Sequence, residues 1–108
     1  GELLYKGKLG AELTIEMGYR AARQAAVNLL AALRAEIGDL DRVKQIVKLL
    51  GMVNSAPGFN RQPEVINGAS ELLIDVFGDR GRHARSAVGM NELPYDTPVE
   101  IEMIVEIE

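Results

Sequence analysis

A chain of 108 residues makes one domain, residues 1–108, around one core. Twelve basic residues against sixteen acidic ones leave a net charge of −4, which argues against nucleic acid as the main partner, since a polyphosphate is held by a concentrated positive field. With no cysteine there is no disulfide, thiol nucleophile or thiolate metal site, which fits a cytoplasmic protein, and no apolar run approaches the roughly 20 residues that span a bilayer, so no membrane partner is expected.

Leu3-Leu4-Tyr5 reads as the end of a strand or an extended lead-in, and Gly7 and Gly10 mark irregular backbone after it. Thr14 is a plausible N-cap for a helix from Ile15 to Ile37, with Gly38 as its stop. Its apolar stripe runs Met17, Ala21, Ala25, Leu29, Leu33 and Ile37, flanked by Ala22, Ala26 and Leu30. Residues 43–53 fit two patterns. Val43, Ile46, Val47 and Leu50 have helical spacing; Val43, Val47, Leu49 and Val53 fit one face of a strand. The β-branched content, Gly51 and the Asn54-Ser55-Ala56-Pro57-Gly58 turn favour a strand. Pro63 suits the first turn of a second helix, with Val65, Ala69, Leu72, Leu73 and Val76 as its buried stripe and Gly78 as its end.

The last quarter holds two strand-like runs, Ala84–Met90 and Val99–Glu108, joined through Asn91-Glu92-Leu93-Pro94. Val99, Ile101, Met103, Val105 and Ile107 alternate with Glu100, Glu102, Ile104, Glu106 and Glu108, which is the period of a strand with one apolar face. The order is lead-in, helix, strand, helix, strand, strand: an α+β layer with two helices on one face of a sheet. Few aromatics and abundant Ala, Val, Ile and Leu exceed what a thin sheet and two helices can bury, which points to subunit contacts. If the two late strands lie close, Arg85 and an early glutamate could line one pocket, a guanidinium and a carboxylate able to hold a small acid and move a proton on it.

The segments ARSAVG and VEIE, the LP between them, the Asn67-Gly68-Ala69-Ser70 run and the Gly38-to-Val43 junction occur in an order that resembles the Rid proteins (reactive intermediate deaminases, also called YjgF-like). The likeness covers essentially the whole chain and is nearest a longer-chain branch with GRHARSAVG and NGAS. It implies a mixed sheet of the chorismate-mutase-like kind, no metal, no cofactor, and a homotrimer with pockets between subunits. It also implies N-terminal strands that have no counterpart here, so an incomplete domain is expected, with a sheet edge left open or covered by another chain.

By the same resemblance, Arg85 binds the substrate carboxylate, the backbone at Ala87 meets the substrate nitrogen, Asn67 lies close to the pocket, and Glu100 positions the attacking water. Glu102 is the alternative if the register is one repeat off. Glu106 and Glu108 read as solvated. His83, with no second His or Cys beside it, is a poor metal ligand and reads as structural. The implied reaction is hydrolysis of enamine or imine acids to 2-keto acids and ammonia. A binder of small carboxylates without turnover is the alternative. The resemblance also raises endoribonuclease activity, which the acidic balance disfavours, and fold analogy raises chorismate mutase.

Overall fold

The structure, a computed structural model, describes residues 5–108. The expected Leu3–Tyr5 strand falls partly outside these residues, and Tyr5 itself is irregular. Helix α1 spans Ile15–Ile37 and strand β1 Val43–Asn54. Helix α2 spans Gln62–Phe77, strand β2 Ala84–Met90 and strand β3 Val99–Ile107. The order in the sheet is β2-β1-β3, with β2 parallel and β3 antiparallel to β1. Both helices cover one face, giving the two-layer α+β fold expected.

The helix ends follow the local sequence. Thr14 accepts a hydrogen bond from the Met17 N–H at 3.2 Å, and Gly38, at φ 89°, closes the C-terminus through its N–H to the Arg34 carbonyl. The deepest stripe of α1 is Gly18, Ala21, Ala22, Ala26 and Leu30, while Met17, Ala25, Leu29, Leu33 and Ile37 are half-buried. The flanking alanines therefore form the true contact line. Helix α2 buries Val65, Ile66, Ala69, Leu72 and Leu73. Val76, expected in that stripe, is 46% exposed; Phe77 turns inward instead, at the point where the helix gives way to a 3-10 turn over Gly78–Gly81.

Small residues bring the two helices together. A Cβ on Gly68 would lie 2.0 Å from the Tyr19 carbonyl oxygen and 3.1 Å from the Arg23 nitrogen. The obstacle is backbone, so no rotamer change relieves it. On the sheet side, Ile66 fills the space over Gly51, where a Cβ would meet it at 2.5 Å.

Strand β1 is paired on both sides. Its core face is Val43, Ile46, Leu49, Gly51 and Val53. The first three are three residues apart because the pairing with β3 shifts twice, between Val43 and Gln45 and between Ile46 and Lys48. The cross-strand rows Leu49–Arg85–Met103 and Gly51–Ala87–Ile101 face the helices; Leu50–Ser86–Glu102 and Met52–Val88–Glu100 face the other way. That second face has no covering layer among the described residues. It exposes Val88, Met90 and Ile104 and holds a hollow of about 490 Å³ lined by Lys48, Leu50, Glu102, Met103 and Ile104. The outer edges of β2 and β3 have no strand partner among the described residues.

The far end of β1 is tied to the lead-in. Buried Asn54 donates to the Gly7 carbonyl and accepts from Lys8 Nζ at 3.1 Å, and Lys8 also donates to the Asn91 carbonyl. Leu9, fully buried, is bonded between the Asn54 carbonyl and the Ala56 N–H.

Gly68→Ala should destabilise the fold even though alanine favours helix by about 1 kcal/mol. The clash with the Tyr19 backbone forces α1 and α2 apart, at the top of the roughly 1–3 kcal/mol range for overpacking. A lower urea midpoint at unchanged slope is the expected result.

Candidate functional site

Arg85 lies on the helix-facing side of β2, half-buried, and reaches α2. Its Nη1 donates to Asn67 Oδ1 at 2.7 Å and to Ser70 Oγ at 3.2 Å. A spacing of three puts Asn67 and Ser70 on one side of α2, so two acceptors meet one nitrogen. Both acceptors are neutral. Among the described residues Arg85 has no carboxylate partner, and its Nε and Nη2 make no hydrogen bond. Those two donors form the side-on fork of the guanidinium. Elsewhere in the chain, Arg61 uses the same fork on Glu64, Nε at 2.9 Å and Nη2 at 2.6 Å. Arg85 therefore offers two parallel donors suited to a carboxylate.

Beside it opens a cavity of about 220 Å³ lined by Ser70, Ile74, Arg82, His83 and Arg85. Ser70 Oγ is 2.9 Å from His83 Nε2, and His83 Nδ1 is 2.6 Å from the Gly81 carbonyl oxygen. Arg82 leans on Asp79 at 3.3 Å from the exposed side. The wall carries two guanidinium groups, one hydroxyl and the imidazole, with Ile74 as its apolar member.

The structure brings Arg85 and Asn67 together. Ala87 sits two residues along the same face of β2, opposite Gly51 and packed against the core. Glu100 is placed elsewhere: it is exposed on the uncovered face of β3, paired with Met52, and β1 lies between it and β2. Glu102 shares that face, one row along. Within one chain, neither glutamate lines the cavity beside Arg85: β2 and β3 are not neighbours, and their closeness was the condition for Arg85 and an early glutamate to line one pocket. Alternation along β3 set their face correctly; what a single strand does not reveal is that Arg85 takes the other one.

Two further residues line this cavity: Ser70, named from the sequence only within the NGAS run, and His83, expected to be structural. Ser70 closes the NGAS run three residues after Asn67, a spacing that marks it as a neighbour. His83 joins it across 13 residues, a contact that no local pattern announces. Lys48 is the further link on the uncovered face, its Nζ 2.9 Å from Ser86 Oγ. Among the described residues, no group of three or more His, Asp or Glu side chains is placed to hold a metal ion. No helix among them is long and apolar enough to cross a membrane.

Comparison with known proteins places this arrangement. A family model described as "YjgF/chorismate_mutase-like, putative endoribonuclease" matches residues 1–107. Protein TCP17 of Trypanosoma cruzi is 50% identical over 102 residues, 94% of this chain; the chain spans 64% of that relative's length. The crystal structure of Atu1372 from Agrobacterium tumefaciens, a protein of unknown function, superposes with a TM-score of 0.98 at 46% identity, over 100% of this chain and 69% of that one. A protein of Shewanella oneidensis described as a putative endoribonuclease superposes at 0.95 with 37% identity, over 99% of this chain and 71% of its own.

Asn67→Asp should place a carboxylate on Arg85 Nη1 and partly neutralise the guanidinium. Titration with pyruvate as a probe should then show affinity several-fold weaker than in the unaltered protein, with the melting temperature held or raised.

Proposed function

This chain belongs to the YjgF/chorismate mutase-like family, and on that premise we propose that it binds a small 2-imino acid and hydrolyses it to the 2-keto acid and ammonia. The observation that carries the reading is Arg85: a half-buried guanidinium anchored by two neutral acceptors, its two-donor fork without a partner among the described residues and beside a cavity.

The chemistry asks little of the protein. A protonated imine carbon is already electrophilic, so holding the carboxylate and placing a water accounts for much of the task. The fork of Arg85 grips the carboxylate. The backbone near Ala87 meets the nitrogen. Glu100 accepts a proton as water adds to the carbon, returns it to the nitrogen, and takes the hydroxyl proton as the carbinolamine collapses and the C–N bond breaks; that last proton leaves with ammonia as ammonium. One water is consumed, the C=N bond is replaced by C=O, and ammonia leaves.

Arg85 and Glu100 lie on opposite faces and on the two outer strands of one sheet. Their cooperation therefore calls for Arg85 of one subunit and Glu100 of another. Val88, Met90 and Ile104 on the uncovered face supply apolar surface for such an assembly, and the proposed state is a cytoplasmic homotrimer.

A second reading is supported by the same separation. If Glu100 never reaches the ligand, Arg85 still binds a carboxylate, and the protein is a metabolite binder without turnover. The endoribonuclease named for the Shewanella oneidensis neighbour is less well supported, because RNA is held through its phosphates and the net charge here is −4.

Light scattering at low micromolar concentration should give about three times the 11.8 kDa chain mass. Arg85→Lys should lower hydrolysis of freshly generated 2-iminopropanoate about tenfold to hundredfold, as loss of a charge-assisted pair implies. Glu100→Gln should abolish turnover while pyruvate still binds. Co-assembling the two variants in equal amounts should restore about a quarter of the wild-type sites if the site is shared between neighbours of a ring. Activity in Glu100→Gln would leave the binder's carboxylate pocket but remove Glu100 from catalysis; no turnover in any form would leave the binding reading alone.

A further inference from the structure

The hydrogen bonds between Gly81 and Asn67 have one fixed direction, at Gly81. The Gly81 carbonyl can only accept, so His83 Nδ1 carries a proton across the 2.6 Å between them. The neutral ring then has a bare lone pair on Nε2. Ser70 Oγ, 2.9 Å away, gives it the hydroxyl proton. With that proton committed, the lone pairs of Ser70 Oγ are free to accept from Arg85 Nη1 at 3.2 Å, while Asn67 accepts from the same nitrogen at 2.7 Å. The other tautomer would press two acceptors together at Gly81 and aim a second donor at the serine. A doubly protonated ring would also turn the serine's own proton away from Nε2, and would place a second cation two links from the guanidinium.

The far end of this chain of bonds is closely packed. Gly81 is buried, and a Cβ there would lie 2.2 Å from the Leu73 carbonyl oxygen. The carbonyls on either side of it, of Arg80 and Arg82, both accept from Gln45 Nε2 on β1, at 3.1 and 2.5 Å. Ser70 is itself 8% exposed. A fixed carbonyl thus sets the ring, the ring sets the hydroxyl, and the hydroxyl helps set the guanidinium.

We propose that His83 is a positioning residue for the carboxylate site: its Nδ1–H tautomer, imposed by the Gly81 carbonyl, orients the Ser70 hydroxyl so that Ser70 and Asn67 together hold Arg85 Nη1 and leave the Nε and Nη2 fork for the ligand. The inference rests on the reading of Arg85 as the carboxylate-binding residue. It assigns His83 no contact with the reacting atoms and no proton transfer to substrate, so its removal weakens binding without lowering the rate at saturation.

His83 is the sole histidine of the chain, so imidazole ¹⁵N signals belong to it alone. Long-range ¹H–¹⁵N correlation spectra of the protein should show the neutral ring protonated on Nδ1 and bare on Nε2. A ring protonated on Nε2 overturns the proposal without any variant. Binding of pyruvate should weaken about threefold to tenfold in His83→Phe and in Ser70→Ala, as loss of one hydrogen bond in the chain implies. His83→Gln, whose amide oxygen can accept from Ser70, should recover most of that loss. Where turnover of 2-iminopropanoate is measurable, KM should rise and kcat should hold. Arg85→Lys, measured alongside, separates the two ideas. If it leaves pyruvate affinity unchanged, the carboxylate reading fails and this inference with it. If it weakens binding while His83→Phe and Ser70→Ala bind as the unaltered protein does, the positioning role alone is refuted.

Discussion

The structure depends on the contact between α2 and α1 at Gly68. With no side chain between the helices, the Tyr19 carbonyl comes within 2.0 Å of where a Cβ would be, so α2 must turn its bare Gly68 toward α1. At about 100° per residue, that one fixed direction distributes the rest of the helix. Val65 and Leu72 fall toward α1, Ile66, Ala69 and Leu73 toward the sheet, and Asn67, Ser70 and Ile74 toward the start of β2. Three consecutive roles of the NGAS run follow from this: Asn67 meets Arg85, Gly68 meets α1, and Ala69 enters the core at 0% exposure. A looser helix pair would leave the guanidinium with acceptors at variable distance.

Much of the fold was legible because the signals were local. Thr14 and Gly38 frame α1, Pro63 and Gly78 frame α2, and the alternation after Val99 announces β3 and the face of each of its residues. Residues 43–53 were ambiguous for a physical reason. Two irregularities in the pairing with β3 space Val43, Ile46 and Leu49 at intervals of three, so a genuine strand carries part of a helix's apolar rhythm. Neither pattern drawn from the sequence names the true core face, which includes Gly51 beneath Ile66. Val76 and Phe77 were exchanged because a stripe extended by periodicity ignores the change of pitch where the helix tightens.

The site was less legible, and the division is instructive. Resemblance to a family supplied Arg85, Asn67, Ala87 and Glu100 as separate names. Their mutual placement needed the register of three strands and the rotation of a helix, neither of which is written in any short segment. Ser70 and His83 stand inside the NGAS and GRHARSAVG segments with nothing local to join them; a serine on a helix and a lone histidine in a turn are ordinary until the chain folds them to 2.9 Å. The arginine itself is unusual in its company. A half-buried cation is normally paired with a carboxylate, and here two neutral oxygens hold it, with no carboxylate beside it among the described residues.

The placement of Arg85 and Glu100 on opposite faces and opposite flanks of one sheet has a thermodynamic consequence. If the proposed sharing holds, a ligand held by Arg85 of one copy and touching a second copy binds the assembly better than the single chain, and binding and assembly become linked equilibria. Each raises the apparent strength of the other. Measured affinity then climbs with protein concentration, and dilution toward single chains weakens it. A cell holding such a protein near its association threshold would adjust the fraction of working pockets through expression level alone, with no allosteric effector.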